Sequence, residues 1–507
     1  MIDFTPLLRR RARRRLAALA ALDPPRAQEA ELMRLVRRAQ DTRFGRDHGF
    51  AAIDGIRSYQ ARVPMRRYED FRRDYWRADF PSLRDVSWPG LIPYFALSSG
   101  TTADVQKYVP VSRDMLRSNA RAALDMLCFH LADRPQSRIL AGRNFMLGGS
   151  TDLQEPAPGV RAGDLSGIAA AEVSWWARRR IFPPRDLALI ADWERKIAAL
   201  AETSVQETIT SIGGTPSWLL LFFEHLARAH PERPRRLVDY WPGLELLVHG
   251  GVNFAPYRPS FAPWLEGSHA ETREIYAASE GFIATADRGP EEGLRLLLDN
   301  GLFYEFVPVE ALDAADPPRA WIGEVACGVN YAILVTSCAG LFSYVIGDSV
   351  RFVSLDPPRL VVSGRIALTL SAFGEHLIGE EIEQAVAEAA QAIGGRILDF
   401  TVGAVFTTPG HHLFLAEFAE PVAPAAQSLF LARLDARLGE LNEDYRVHRA
   451  GSYGMGPPRL EIVPPGGFAA WMKSRGRLGG QNKVPRIIAD PAGLDRLHDF
   501  LRPYPQG

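Results

Sequence analysis

Lysine is nearly missing from this chain. Of 59 basic residues in 507, only Lys107, Lys196, Lys473 and Lys483 are lysine. Arginine stands wherever charge alone is wanted, so a retained lysine marks a place that needs a compact ammonium, which the planar guanidinium cannot mimic. This reading falls on Lys107 and Lys483, both in serine- or glycine-rich surroundings. Cysteine is scarce too. Cys128, Cys327 and Cys338 form neither a metal-ligand spacing nor an even disulfide set, which excludes a disulfide-stapled scaffold and sets the expectation of a reducing, cytoplasmic compartment. Excess charge of either sign is lacking: a formal net charge of -1 excludes a dedicated nucleic-acid binder or a polybasic membrane protein. No apolar run approaches the roughly 20 residues needed to span a bilayer. Several common signatures are absent as well: the G-x-x-x-x-G-K-[ST] phosphate loop, the G-x-G-x-x-G dinucleotide fingerprint and the G-x-S-x-G nucleophile elbow.

What remains is the composition of a globular protein, 47% hydrophobic and 23% charged, in a chain long enough for two or more domains. The opening "MIDFTPLLRRRARRRLAALAAL" has a basic and then an apolar part, as a targeting peptide does. Its apolar part is short and alanine-rich, and "RAQEAELMRLVRRAQ" continues the helical pattern, so a basic helix of the folded domain is expected.

Residues 1 to about 90 read as helices rich in arginine and aromatics. "LIPYFAL" reads as a buried strand, followed by the small-residue loop "SSGTT" and a helix capped by Ser112, with Asp114 in its first turn. In the middle, "TSIGGTPSWLLLFFEHLARAH" offers Thr215 as a cap and Pro216 at the first helical position. "LELLVHGG" and "EIYAASE" read as short strands, and residues 294 to 362 are β-rich. After Arg365 the character changes to a helix, "GEEIEQAVAEAAQAIGG", two paired strands, "ILDFTVGAVFTT" and "HHLFLAEFA", and a second helix, "AAQSLFLARLDARLGELNEDYRVHRA". Domains are therefore expected at 1–365 and 366–507, joined by a short hinge near 365 to 371. The whole is an α/β fold whose strand ends carry the site. His411 and His412 lie in a strand, so they point to opposite faces and are expected to be solvated or packed.

Three stretches carry candidate chemistry. In "SSGTTADVQKYVP", Ser98, Ser99, Gly100, Thr101 and Thr102 follow a strand. Backbone N–H groups around a glycine form a concave anion nest, four hydroxyls add donors, and Lys107 adds charge; an ordinary turn uses the same residues. In "YAASE", Tyr276, Ser279 and Glu280 end a strand. In "YVIGDSV", Asp348 follows Gly347 in what reads as a tight turn. An aromatic ring, a hydroxyl and two carboxylates suit adenine, phosphate, magnesium and ribose, and magnesium needs only one or two carboxylates when it shares phosphate oxygens. Taken singly, each residue also has a plain structural reading as core, surface or turn.

Taken together and in this order, the stretches resemble the auxin-responsive promoter family of acyl acid-amido synthetases, within the adenylate-forming superfamily. "SSGTTADVQKYVP" is similar to its phosphate motif, and "YAASE" and "YVIGDSV" to its nucleotide motifs. "SIGGTPSWLLLFFE", "LVHGG" and "GGQNKVPRI" are similar to further segments, so the resemblance covers essentially the whole chain. It implies a large N-terminal adenylate-forming α/β domain and a smaller mobile C-terminal α+β domain. It implies two steps: a carboxylic acid attacks the α-phosphate of ATP, and an amine, typically of an amino acid, then takes the acyl group and releases AMP. By the resemblance, Ser98, Ser99, Thr101 and Thr102 hold the phosphates, with Ser99 and Thr102 counted as catalytic and Gly100, Lys107 and Gly251 completing the cradle. Tyr276 flanks adenine, Ser279 meets the α-phosphate, Glu280 holds Mg2+, and Asp348 binds the ribose with Arg365 nearby. Lys483 faces charge building at the α-phosphorus.

Where the family usually has a glycine and another basic residue, this chain has Ala103, Asp104, Val105 and Gln106, and Asp104 adds negative charge beside a triphosphate. Two alternatives follow from the same motifs: an acyl-CoA ligase using the same adenylate, and a nucleotide- or acyl-binding protein without turnover. The expected partners are a small carboxylic acid and an amine, with no nucleic acid and no membrane, and the chain is expected to act as a monomer. Pocket-lining residues are expected from the helix "PSWLLLFFEHL" and the strands beyond 294.

Overall fold

The computed structural model describes residues 2–98, 107–148, 153–173, 178–190, 193–251, 254, 257–289, 292–312, 314–366, 370, 372–373, 375, 377–407, 410–450, 455–476, 483–488 and 490–502. Two compact units emerge. The first holds residues 1–214, 241–251 and 269–362; the second holds 215–240, 252–268 and 363–507.

The first unit contains strands β1 (Tyr94–Ser98), β2 (Lys107–Val111), β3 (Arg143–Met146), β4 (Gln154–Ala157), β5 (Val160–Gly163), β6 (Ile181–Phe182), β7 (Ile209–Gly214), β8 (Leu246–Gly250), β9 (Glu271–Ala278), β10 (Gly281–Thr285), β11 (Leu294–Leu296), β12 (Leu302–Pro308), β13 (Ala320–Trp321), β14 (Asn330–Ser337), β15 (Tyr344–Leu355) and β16, which begins at Pro358 and runs to Arg365. Twelve of them form one mixed sheet in the order β13-β12-β14-β15-β16-β11-β10-β9-β8-β7-β3-β6. Its β3, β7, β8 and β9 segment is parallel, so the carboxyl ends of four neighbouring strands share one edge, the usual ligand edge of an α/β sheet. A smaller sheet, β2-β1-β5-β4, carries the segment that leads into "SSGTT".

The strand, loop and helix expected around residues 94–133 need one correction. "KYVPV" is itself a strand: β2 pairs antiparallel with β1 in a register that sets Ser98 opposite Lys107. Tyr108, Val109 and Val111 are residue types that suit a pleated, half-buried surface, and they outweigh the loop reading. The helix that follows, Arg113–Asp133, forms as expected, with the Ser112 side chain accepting from Met115 N at 3.0 Å. Met115, Ser118, Ala122, Met126 and Phe129 recur at helical spacing and are buried. Part of this face packs with Leu8 and Ala12 of the N-terminal helix Thr5–Ala20, which is the domain helix expected from the sequence.

The second unit contains β17 (Ile397–Val405), β18 (His411–Phe418), β19 (Arg459–Val463) and β20 (Ile487–Ile488), ordered β19-β18-β17-β20. The expected pairing of β17 with β18 is present and antiparallel. The helix Gly379–Ala392 covers this sheet with a core of Ile382, Ala385, Val386 and Ala389. The single second helix expected after residue 424 is two, Pro424–Leu441 and Glu443–Ala450. Asn442 divides them, its side chain accepting from Tyr445 N at 2.8 Å, because a short amide competes for backbone donors and favours a cap. His411 and His412 are both packed rather than solvated, and His412 Nε2 lies 2.8 Å from Glu375. In the helix Pro216–Ala229, Thr215 stands at the N-cap without a side-chain cap bond. That helix buries Leu219, Phe222, Phe223 and Leu226 completely, with Phe223 against Phe261 and Trp264. Among the described residues, no helix is long and apolar enough to cross a membrane.

Candidate active site

At the carboxyl end of β9, Tyr276 is buried, and a two-residue turn then presents Ser279 and Glu280, both also buried, before β10 begins at Gly281. On the neighbouring parallel strand, β8 ends at Gly250 and the exposed Gly251 follows with φ 84°, a conformation that glycine adopts without strain. Gly251, Ser279 and Glu280 thus stand on the ligand edge of the first unit.

Asp348 reaches the same unit's interior by a different device. The tight turn read from "YVIGDSV" is instead one continuous strand, β15, carrying a bulge. Its register on β14 jumps from Val345 opposite Leu334 to Ser349 opposite Ala332. Residues 346–348 fill that interval, and Gly347 takes φ 98°. A bulge re-aims the side chains next to it. The Asp348 carboxylate, buried, accepts a hydrogen bond from the Tyr276 hydroxyl, with Tyr276 Oη to Asp348 Oδ2 at 2.8 Å. The aromatic residue expected beside adenine is therefore also the anchor of the carboxylate expected at the ribose.

Glu280 has a tyrosine of its own. Tyr344, buried at the start of β15, donates its hydroxyl to the Glu280 carboxylate; burial first, and then that carboxylate, push the phenol well above the ordinary tyrosine range. Tyr68 lies close enough to contribute to the same shift. The Tyr68 hydroxyl accepts from Tyr108 N at 2.9 Å, and Lys107 Nζ sits 5.7 Å from the centre of its ring. Lys107, Tyr68, Tyr344 and Glu280 thus form a connected path between β2 and the end of β9.

The structure therefore brings Tyr276 and Asp348 into contact and links Glu280 to Lys107 through two tyrosines. The backbone of Ser98 ends β1, while Ser99, Gly100, Thr101 and Thr102, together with Asp104, lie outside the described residues. The backbone of Arg365 ends β16. Sequence reasoning missed Tyr344 and Tyr68. Tyr344 opens the quoted "YVIGDSV", so its signal was available; Tyr68, in "YEDFRRDYWRADF", had none.

Lys483 belongs to the second unit, where it is half-buried three positions before Arg486. Arg486 is held by Asp399, by Glu383 at 3.2 Å and by the Phe400 carbonyl at 2.8 Å, and it also meets the Tyr257 hydroxyl. Its guanidinium carbon stacks 4.4 Å from the Phe400 ring centre. The base of the Lys483 segment is thus fixed by a buried cation with partners on several elements.

A twelve-stranded mixed sheet, a four-stranded sheet, and two tyrosine-anchored carboxylates, one in the turn after parallel strand β9 and one at the bulge of β15, define an α/β protein of the adenylate-forming fold. The chain belongs to the GH3 family. The family's N-terminal domain matches residues 17–269, its central domain 295–365 and its C-terminal domain 380–492. Among curated proteins it is similar to the indole-3-acetic acid-amido synthetase GH3.8 of Oryza sativa subsp. indica, 28% identical over 278 residues, 51% of this chain and 46% of that protein. It is also similar to GH3.3 of Arabidopsis thaliana, 26% identical over 271 residues, 50% and 45% of the two chains. In these two matches the chain spans a little under half the length of the relative. A longer match, to the probable indole-3-acetic acid-amido synthetase GH3.2 of Oryza sativa subsp. japonica, covers 91% of this chain and 88% of that protein at 22% identity. Of solved structures, the AtGH3.15 acyl acid amido synthetase in complex with 2,4-DB superposes with a TM-score of 0.83 over 99% of this chain and 98% of the other, at 18% identity. A 2-hydroxyisobutyryl-CoA ligase in its postadenylation state gives 0.62 over 94% and 91%, at 17% identity. These structures share the fold.

Proposed function

We propose that this chain is an ATP-dependent acyl acid-amido synthetase. A carboxylate oxygen of a small acid attacks the α-phosphorus of ATP, the bond to the bridging oxygen breaks, and pyrophosphate leaves. An amine nitrogen, taken here to be that of an amino acid, then attacks the acyl-adenylate carbonyl, loses a proton and displaces AMP. The observation that carries this reading is the paired anchoring of Asp348 by Tyr276 and of Glu280 by Tyr344 within one unit.

Attack of one anion on another is mainly a problem of positioning and charge neutralisation. In this reading Asp348 binds the ribose hydroxyls, with Arg365 nearby, and Ser279 meets the α-phosphate. Ser98, Ser99, Gly100, Thr101, Thr102, Lys107 and Gly251 form the phosphate cradle. Glu280 fits a magnesium ion, because one aimed carboxylate suffices where phosphate oxygens complete the shell; the ion supplies charge neutralisation. Lys483 serves the charge that develops at the α-phosphorus, and residues 366–507 act as the mobile lid that carries it. The reading includes a monomer working in the cytoplasm.

The test is acid-dependent pyrophosphate release from the full chain with ATP and magnesium, with products identified by mass spectrometry. The expected result is pyrophosphate with acid alone and an amide only once an amino acid is added. A thioester formed with coenzyme A in place of the amide assigns the second step differently. ATP binding without pyrophosphate across a broad acid panel overturns the reading.

A further inference from the structure

Beyond the nucleotide residues, the first unit contains a cleft of about 550 Å³, a size typical of small-molecule sites. Met146 and Gly148 at the carboxyl end of β3 form one wall; Leu153, Ala170 and Leu189 add apolar surface. The cleft lies on the same sheet edge as Glu280. From β3 through β7 and β8 to β9 there are three strand spacings, roughly 14 Å.

Its charge is one-sided. Among the described residues, Arg161, Arg178, Arg185 and Lys196 line it with one acidic lining residue, Glu155, and Asp164 acts on Lys196 from nearby. The three arginines are exposed, and none of them is ion-paired among the described residues. Lys196 is buried, its ammonium donating to the Ala188 carbonyl at 3.0 Å; burial lowers its pKa. A second, independent observation comes from Ser166. Ser166 lines the cleft, and its hydroxyl oxygen is shielded from solvent and has no hydrogen-bond partner among the described residues, a costly arrangement that a ligand's acceptor relieves.

We propose that the acid activated by this chain carries a second anionic group, held in this cleft by Arg161, Arg178 and Arg185 and hydrogen-bonded by the Ser166 hydroxyl. The inference rests on the synthetase reading and narrows its substrate class to acids with a distal carboxylate or comparable anion. A linear diacid such as sebacic acid bridges the span between the cleft and the turn at Glu280, with its methylenes along the apolar wall.

Two measurements on the full chain separate this inference from the reading beneath it. Equilibrium binding of sebacic acid, its monomethyl ester and decanoic acid is measured by titration calorimetry, and acid-dependent pyrophosphate release is measured in parallel. Sebacate is expected to bind at least ~10-fold more tightly than either singly charged analogue, the scale of one well-placed charged contact. The combined Arg161→Gln, Arg178→Gln and Arg185→Gln variant, altered only at exposed positions, is expected to lose that preference while binding decanoate as before. Equal binding of all three acids, no binding of sebacate, or a preference that survives in the variant overturns the inference. Pyrophosphate release without the binding preference leaves the synthetase standing and removes the second anion; the preference without pyrophosphate does the reverse.

Discussion

Replacing Tyr276 by phenylalanine removes one oxygen from the centre of the proposed nucleotide site. The ring stays in the large core of the first unit, so apolar packing is retained. What is lost is one hydrogen bond of 2.8 Å from a buried phenol to a buried carboxylate. Hydrogen bonds to charged groups contribute about 1.5–3 kcal/mol net. Part of that appears as lower stability of the first unit. The rest appears as a less well-aimed Asp348, and at 1.4 kcal/mol per tenfold the expected rise in ATP KM is about 5- to 20-fold, with kcat changed less than about 3-fold. The assay is acid-dependent pyrophosphate release at varied ATP, supported by direct ATP binding. Asp348→Ala is expected to raise the ATP requirement by about 100-fold, and in that background Tyr276→Phe is expected to add almost nothing, because the two residues act as one unit. An ATP requirement unchanged in Tyr276→Phe, or penalties that simply add, refutes the idea that Tyr276 works through Asp348.

Tyr344→Phe is expected to raise the magnesium concentration needed for half-maximal pyrophosphate release about 3- to 10-fold and to leave nucleotide binding without magnesium unchanged; the reverse pattern removes Glu280 from the metal role. Lys483→Ala is expected to slow adenylate formation about 100- to 1,000-fold while ATP binding changes little, and equal loss of both makes the lysine structural. Glu417 in the second unit is pushed up to about 7, because burial outweighs the stabilising backbone N–H groups of Gly466 and Phe468. Its folded pKa exceeds the unfolded value near 4.5, so its contribution is complete below about pH 4.5 and is lost as pH rises to about 7, a span of roughly 3 kcal/mol. Relative to Glu417→Gln, the wild-type chain is therefore expected to lose thermal stability between pH 5 and pH 8; parallel melting curves for the two over this range refute the argument.

The elements that could be read from the sequence were those specified by local chemistry. Ser112 caps a helix because a hydroxyl before an apolar periodic run satisfies a backbone donor there. β17 and β18 were legible because continuous apolar text fits a strand buried on both faces. The split at Asn442 was a local cap overlooked, but the two strand misreadings share another cause: long-range pairing decided them. Nothing within "KYVPV" states that β1 will lie beside it. Gly347 permits either a turn or a bulge, and only the partner strand β14, with its jump from Leu334 to Ala332, selects the bulge. The candidate site was legible as three motifs in order but not as a geometry. Tyr68 carried no signal at all, since its role depends on lying against Tyr108 and Lys107, roughly 40 positions along the chain.

The two nucleotide motifs turn out to be reciprocal. "YAASE" and "YVIGD" each open with a tyrosine and close, four positions later, with an acid. In the folded unit each tyrosine holds the other motif's acid: Tyr276 donates to Asp348, and Tyr344 donates to Glu280. Elsewhere in the same unit, buried carboxylates are anchored by guanidinium groups, as Asp287 is by Arg359, Glu305 by Arg319 and Asp125 by Arg15. An arginine anchor cancels the charge it fixes. A phenol adds aim to the carboxylate and brings no charge of its own. Exchanging partners between the motifs also makes each carboxylate depend on a strand other than its own. The site therefore takes shape only when β9 and β15 have both found their places in the sheet, and a local misfold of either strand disarms both acids together.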